Sequence, residues 1–204
     1  VTLALDVARA MSYLHAWKPP LIHRDLKSLN LLVSSAGGED GIKRCKVTDF
    51  GIARIDTDGN RTKTGVVMGT MNYMAPEQRL SATRVTPASD LYAIGATLFA
   101  ILTGHIKDNL FETDIQANAF ANLPKDISIF LQKACHFDPN QRHSNATEMI
   151  EDLLKLKAIL PPVDENATPL FVPYEADGFH KKPSPKELTA LHTSWSQYGS
   201  ETDP

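Results

Sequence analysis

Two short segments of this chain contain residue types that suit phosphoryl transfer. Residues 23–30 read His-Arg-Asp-Leu-Lys-Ser-Leu-Asn, and Asp49 follows nineteen residues after Asn30. A carboxylate such as Asp25 can orient a hydroxyl group and accept its proton, while the ammonium of Lys27 can stabilise the charge of the transferred group. Asn30 and Asp49 offer the hard oxygen atoms that Mg²⁺ prefers. The pattern therefore predicts a site where a metal-bound nucleotide meets an alcohol.

The surrounding sequence predicts the elements that must position these residues. Apolar residues recur at helical spacing in four stretches, which cover 1–16, 91–102, 123–136 and the residues after Asn145. Residues 31–33 and 46–48 are short strand patterns, and the glycine-containing segment 34–44 between them is typical of a hairpin connection. A glycine-rich phosphate loop at 37–41 is the alternative, disfavoured because its acidic pair would repel phosphate.

Start and stop signals bound two of the helices. Ser89 or Asp90 is the predicted N-cap of the central helix, and Gly104 is its predicted end. Asn145, with a glutamate three residues later, predicts the start of the last helix. The proline-rich residues 161–204 contain few aliphatic side chains and are predicted to be a largely disordered tail.

The motifs resemble a known family. Residues 23–30 resemble the catalytic loop of eukaryotic-type protein kinases, and residues 49–51 resemble their magnesium-binding motif. Three further matches follow in the family's order: the substrate-site segment 69–77, the start of the central helix at 89–95, and 138–142. One tripeptide is weak support, but five motifs in one order are specific. The resemblance covers about residues 1–160.

The resemblance implies roles for the polar residues and for one apolar residue. Asp25 would orient the substrate hydroxyl, Lys27 would stabilise the phosphoryl group, and Asn30 and Asp49 would be metal ligands. Lys27, Asn30, Leu32 and Asp49 would bind the cofactor, with Leu32 on the floor of the nucleotide cleft. The implied cofactors are ATP and Mg²⁺. By residue type alone, the acids and amides could instead be turn or cap residues.

Other residues are expected to support this site. His23 next to an aspartate suggests a catalytic dyad, but the resemblance favours a buried packing role against Phe50, which Gly51 follows. Asp90 is expected to bind the backbone of the catalytic loop.

An ion pair is expected between Glu77 and Arg142, and it would be buried. His143 follows Arg142 where the family commonly has proline, and we expect this difference to have only a local effect on the last helix.

Regulation by phosphorylation is also implied. Arg24, with Arg54, could bind a phosphate on the polar loop that covers residues 52–68. Thr64 is the leading candidate for modification and Thr62 the next.

The substrate segment of the family includes Gly69, Thr70 and Tyr73. Thr70 is expected to bond Asp25 and Lys27, so a structural role is favoured over phosphorylation. Together with the Lys two residues after the catalytic Asp, this segment resembles serine/threonine kinases. Ser28 resembles the tyrosine-kinase-like group, which includes Raf-like and mixed-lineage enzymes. Residues 74–78, however, also occur in bacterial-type kinases.

The family's small lobe is not visible in the sequence. The chain opens at Val1, contains no G-x-G-x-x-G, and its Lys18 precedes Pro19-Pro20 and so cannot be the strand lysine of that lobe. We therefore expect a partial kinase domain, 1–160, that is inactive or nearly so when isolated. The alternatives are a kinase-like scaffold that regulates a partner without catalysis, and a small-molecule phosphotransferase. The peptide platform at 69–77 argues against the latter.

Composition excludes several classes of protein. A formal net charge of −3 over 204 residues argues against binding to nucleic acid. The longest apolar stretch, 91–102, is too short to span a membrane. Two cysteines, Cys45 and Cys135, form no disulfide framework, which favours a cytoplasmic setting.

The expected fold is mainly α, a protein-kinase-like C-terminal lobe with short β-hairpins at the catalytic and magnesium loops. Its expected partners are a protein substrate and an upstream activating kinase, unless it phosphorylates itself.

Overall fold

Helices form most of the structure. The computed structural model describes residues 1–34, 44–49 and 68–160, without the side chains of residues 68–70 and 82, and all lie in the unit Val1–Ala167. The α-helices are α1 Thr2–His15, α2 Pro76–Leu80, α3 Pro87–Thr103, α4 Thr113–Phe120, α5 Lys125–Ala134 and α6 Ala146–Ile159. Short 3₁₀ helices cover Ser28–Asn30, Met68–Tyr73, Ala82–Arg84 and Pro139–Gln141. The mainly α fold class that the sequence predicts is confirmed.

Helix α3 is the centre of the core. Every residue from 89 to 99 is buried, as expected for a helix whose apolar side chains occur all the way round. It ends where predicted, at Gly104, whose φ of 70° suits glycine best. The predicted N-cap at Ser89 or Asp90 is wrong, because Thr86 is the N-cap and Ser89 is the third helical residue of a capping box.

Close packing between α3 and α5 depends on Gly95. A Cβ atom at this position would lie 2.7 Å from Ala134 Cβ and 2.9 Å from Cys135 Sγ. Cys135 is fully buried, and burial raises the pKa of its thiol to about 12.

Gly95→Ala is therefore expected to destabilise the fold, although alanine normally favours a helix over glycine. We expect a loss of about 1–3 kcal/mol in the free energy of unfolding, because the added methyl group forces α3 and α5 apart. Urea unfolding measures this loss. In a double-mutant cycle with Ala134→Gly, the two changes together should cost less than the sum of the single changes, because each single cost of the pair includes a term that the other change removes. If the two costs simply added, the contact with Ala134 would not be the cause.

A two-stranded antiparallel hairpin stands beside α1. Strand β1, Leu31–Val33, pairs with β2, Cys45–Val47, in the register Leu31↔Val47 and Val33↔Cys45. The backbone N–H of Cys45 donates to Asp6 Oδ2 on α1 at 3.0 Å, which attaches β2 to the helix. The hairpin occurs where the strand patterns predict it, and its connection lies outside the described residues.

The remaining helices match the predictions in part. Asn145 is the N-cap of α6, and its side chain accepts a hydrogen bond from the backbone N–H of Glu148. The helix predicted at 123–136 begins at Lys125, because Pro124 occupies the cap. Helix α4 was not predicted. None of the helices in the described residues is long and apolar enough to cross a bilayer. The predicted tail, 161–204, lies outside those residues.

His143 is buried between α5 and α6. Its ring lies 5.1 Å from that of Phe130, and Nε2 is 3.4 Å from Asp152 Oδ2. Burial, helped by the Lys133 ammonium and opposed by the Asp152 and Glu148 carboxylates, lowers the pKa of His143 from 6.5 to about 4. The residue that replaces the family's usual proline is thus held uncharged in the core.

This burial predicts a dependence of stability on pH. The unfolded chain takes up the His143 proton near pH 6.5 and the folded chain only near pH 4, so the contribution is complete above pH 6.5 and is lost as the pH falls toward 4. The loss should reach about 3 kcal/mol. His143→Phe should flatten the pH dependence of urea unfolding between these values, whereas His105→Phe, at an exposed site, should not. Equal slopes in both variants and the original chain would contradict this assignment.

Candidate active site

Three of the predicted site residues meet in the catalytic loop. Lys27 Nζ lies 3.0 Å from Asp25 Oδ2, and both side chains are mostly shielded from solvent. Asn30 is buried, and its Nδ2 donates to the Asp25 carbonyl oxygen at 2.8 Å and to Asp25 Oδ2 at 3.3 Å. A cation and an amide nitrogen therefore contact the same carboxylate oxygen, Oδ2 of Asp25.

The hairpin brings Asp49 next to this group. Asp49 lies two residues beyond the end of β2, and the backbone N–H of Thr48 between them donates to the Asn30 carbonyl oxygen at 3.0 Å. Asp49 is exposed and has a φ of 56°, a left-handed conformation that few non-glycine residues adopt. Leu32, on β1, is 45% exposed. Phe50 and Gly51 lie outside the described residues.

Hydrogen bonds connect the catalytic loop to Thr48, the residue after β2, and to α3. The ring of His23 is fully buried, and its Nε2 donates to the Thr48 carbonyl oxygen at 3.0 Å. Asp90 Oδ2 and Oδ1 accept from the backbone N–H groups of His23 and Arg24 at 2.8 and 2.9 Å. The structure thus contains the backbone contact expected of Asp90. The expected packing of His23 on Phe50 lies outside the described residues.

The substrate segment begins beside this loop. Residues 68–73 form a 3₁₀ helix that includes Gly69 and Thr70, and Tyr73 is buried. The Tyr73 hydroxyl lies 3.1 Å from the Ser28 hydroxyl, which joins the segment to the catalytic loop. The contact expected of the Thr70 side chain concerns atoms that the structure does not describe.

The expected ion pair is present and is bidentate. Arg142 Nη1 and Nη2 lie 2.8 Å from Glu77 Oε1 and Oε2, and the Arg142 side chain is fully buried. Ser89 Oγ also donates to Glu77 Oε1 at 2.8 Å. Partial burial alone would raise the pKa of Glu77, but the hydrogen bonds and charge of Arg142 outweigh it and hold that pKa below its usual range.

The predicted regulatory threonines, Thr62 and Thr64, lie outside the described residues, as does Arg54. Arg24 is described, and it is notable for its backbone, with a φ of 69°. The phosphorylation of the loop therefore stays a prediction.

The donors at this site fit Mg²⁺. No group of three or more His, Cys, Asp or Glu suited to a metal occurs within 1–34, 44–49 and 68–160. Mg²⁺ needs no such group, because it is usually held by one or two carboxylates together with substrate phosphates and water. The exposed carboxylate of Asp49 and the side-chain amide of Asn30 match that donor chemistry.

Sequence reasoning missed three supporting residues. His15 Nε2 lies 2.9 Å from Asp90 Oδ2, Gln78 Nε2 donates to the Arg24 carbonyl oxygen at 2.7 Å, and Arg79 Nη1 donates to Asn109 Oδ1 at 2.6 Å. Their partners are 75, 54 and 30 residues away in sequence. No local pattern connects residues at such separations, so only the folded chain identifies them.

Comparisons with known proteins agree with the geometry. A family model described as a protein kinase domain matches residues 2–157. A probable serine/threonine-protein kinase of Dictyostelium discoideum is 36% identical over 159 residues, 77% of this chain and 14% of the relative. Another from Clostridium perfringens is 34% identical over 169 residues, 77% of this chain and 23% of the relative. Chitin elicitor receptor kinase 1 of Physcomitrium patens is 44% identical over 107 residues, 52% of this chain and 15% of the relative. The chain spans less than a quarter of the length of each.

Proposed function

This chain belongs to the protein kinase domain family, and we propose that it is the C-terminal lobe of a protein serine/threonine kinase that uses ATP and Mg²⁺. The observation that supports this function best is the hydrogen-bonded group of Asp25, Lys27 and Asn30, with Asp49 beside it across the hairpin. These residues would supply a proton acceptor, a cation and metal ligands. The residue roles are those that the resemblance implies.

In this proposal the chain's own groups orient the alcohol and balance charge. Asp25 accepts the proton of the substrate hydroxyl while the hydroxyl oxygen forms a bond to the γ-phosphorus of ATP. At the same time the bond between that phosphorus and the β,γ-bridging oxygen breaks, and ADP leaves. Lys27 places a positive charge beside the transferred group. Asn30 and Asp49 would hold Mg²⁺, which when bound neutralises phosphate charge. Leu32 would contact the nucleotide.

The finer assignments rest on single features. Ser28 supports the tyrosine-kinase-like group, whereas the similarity to a bacterial kinase supports the alternative. Two free cysteines, Cys45 and Cys135, favour a cytoplasmic location. We also propose that a protein is the substrate and that phosphorylation of Thr64 or Thr62, by an upstream kinase or by autophosphorylation, activates the enzyme. Residues 161–204 would form a disordered tail.

The function is tested by phosphate transfer from ATP labelled at the γ-position to a mixture of protein substrates. The assay should use the natural polypeptide that carries these residues, with Mg²⁺ present, followed by phosphoamino acid analysis. Label on serine and threonine supports the proposal, and label on tyrosine alone contradicts the substrate class. Residues 1–204 expressed alone should transfer little phosphate, because their sequence contains no glycine-rich phosphate loop.

A kinase-like scaffold without catalysis is the second candidate, and it is favoured by the lack of a strand lysine and a glycine-rich loop in this sequence. A ligand that binds only the folded state stabilises it by RT ln(1 + [L]/Kd), where [L] is the free ligand concentration. A melting temperature of the natural polypeptide that millimolar Mg·ATP leaves unchanged, together with no labelled product, would favour the scaffold.

A further inference from the structure

The residue before the catalytic aspartate has an unusual backbone. Arg24 has a φ of 69°, in the left-handed region where a Cβ atom crowds the following carbonyl. A non-glycine residue keeps this conformation only where surrounding contacts determine it. Because Asp25 follows directly, the conformation of Arg24 sets the direction in which the Asp25 carboxylate leaves the loop.

Two side chains hold the peptide groups of Arg24 from opposite sides. Its N–H donates to Asp90 Oδ1 at 2.9 Å, and its carbonyl oxygen accepts from Gln78 Nε2 at 2.7 Å. A carbonyl oxygen only accepts, so the Gln78 amide must present its nitrogen here. Asp90 belongs to the buried helix α3 and is fixed further by His15. Gln78 belongs to a different part of the fold.

Gln78 lies on α2, which begins at Pro76 inside the substrate segment 69–77, three residues after the 3₁₀ helix of that segment ends. The same short helix contains Glu77, paired with Arg142, and Arg79, whose side chain donates to the carbonyl oxygens of Met71 and Met74. Helix α2 is thus bound to the segment on one side and to the core on the other. The position of the Gln78 amide therefore depends on how the substrate segment is arranged.

We propose that Gln78 is a positioning residue for Asp25. Its hydrogen bond to the Arg24 carbonyl oxygen holds the left-handed conformation of Arg24 and so couples the arrangement of the peptide platform to the orientation of the catalytic base. This inference rests on the proposed kinase function. It assigns Gln78 no contact with ATP or with the substrate.

The test compares three variants in the natural polypeptide that carries the chain. Gln78→Met keeps the length of the side chain but removes the donor, and Gln78→Lys restores a donor. Leu80→Met is the control on the same helix, at a residue that is 71% exposed. The measurements are kcat and KM for a peptide substrate, KM for ATP, the melting temperature, and amide hydrogen exchange of the segment 21–27.

Gln78→Met is expected to lower kcat by about 10- to 100-fold, because a small displacement of a reacting group is costly. Both KM values and the melting temperature should stay near those of the original protein, and exchange in 21–27 should rise. Gln78→Lys should recover most of kcat, and Leu80→Met should change nothing. An unchanged kcat in Gln78→Met, or a loss that Gln78→Lys does not recover and that a lower melting temperature accompanies, overturns the proposal.

Failure of the original protein to phosphorylate any substrate would count against the proposed function instead. Hydrogen exchange then decides the role of Gln78 alone. Faster exchange in 21–27 for Gln78→Met but not for Gln78→Lys supports the positioning contact, and exchange equal in all variants overturns it.

Discussion

Asp25→Asn is expected to lower kcat for peptide phosphorylation by about 10²- to 10⁴-fold, the usual size of a general-base contribution. The amide is the same size as the carboxylate but cannot accept the substrate's proton. The amide oxygen can still accept hydrogen bonds from Lys27 Nζ and Asn30 Nδ2, which lie 3.0 and 3.3 Å from Asp25 Oδ2 in the original chain. The loop should therefore keep its geometry while the chemistry is lost.

The measurement is steady-state kinetics in the natural polypeptide, with the melting temperature recorded for each variant. Asp114→Asn is the matched control, because Asp114 is exposed in the first turn of α4 and has no place in the proposed site. It should leave kcat unchanged. If Asp25→Asn retained a rate within about threefold of the original, Asp25 could not be the base that the chemistry requires.

Glu77→Leu is expected to lower the free energy of unfolding by about 3–5 kcal/mol, because it leaves the fully buried guanidinium of Arg142 without its carboxylate. The remaining partners of Arg142 are carbonyl oxygens of His136, Phe137 and Ala88, which do not neutralise its charge. The Arg142 guanidinium also lies 5.1 Å from the Tyr92 ring centre, deep in the core. Solvent therefore has little access to replace the lost carboxylate.

Urea unfolding measures the loss in free energy of unfolding, and a double-mutant cycle tests whether the unpaired charge of Arg142 causes it. Adding Arg142→Met to Glu77→Leu should cost less than the sum of the two single changes, by about 0.5–3 kcal/mol, since no buried charge is left. The free energy of unfolding of the double variant should still be lower than that of the original chain, because the three carbonyl oxygens lose their donor. Additive costs would show that charge pairing is not what stabilises this contact.

An ion pair with an exposed carboxylate supplies the control for Glu77→Leu. Asp108 is 59% exposed at the side chain, and its Oδ1 lies 2.9 Å from Arg79 Nη2. Asp108→Leu should change the free energy of unfolding by only about 0–1 kcal/mol, because an ion pair whose carboxylate is largely in water contributes little. If Asp108→Leu destabilised the fold as much as Glu77→Leu, burial of the ion pair could not explain the cost of losing Glu77.

Much of the fold could be predicted from local patterns. Helix α1, the hairpin and the last helix occur where apolar spacing and the Asn145 cap place them, since both signals act over a few residues. Helix α4 has no strong apolar spacing, and it depends on distant contacts: Gln116 donates from it to the carbonyl oxygens of Leu110 and Cys135. The start of α3 was missed for a different, local reason: Ser89 resembles an N-cap, but it is the third helical residue of a capping box whose N-cap is Thr86.

The sequence by itself determined the family and the chemical groups of the site. Asp25, Lys27 and Asn30 lie within six residues, so their meeting follows from one loop and needs no knowledge of distant contacts. The contact of Asp90 with the loop backbone was also expected, but only the tertiary structure decided that Gln78 binds there too and that Arg24 is left-handed. Asp90 and Gln78 bind the peptide groups of Arg24 across 66 and 54 residues. The physical reason is that a hydrogen bond depends on atoms a few ångströms apart in space, whereas a sequence pattern records only neighbours along the chain.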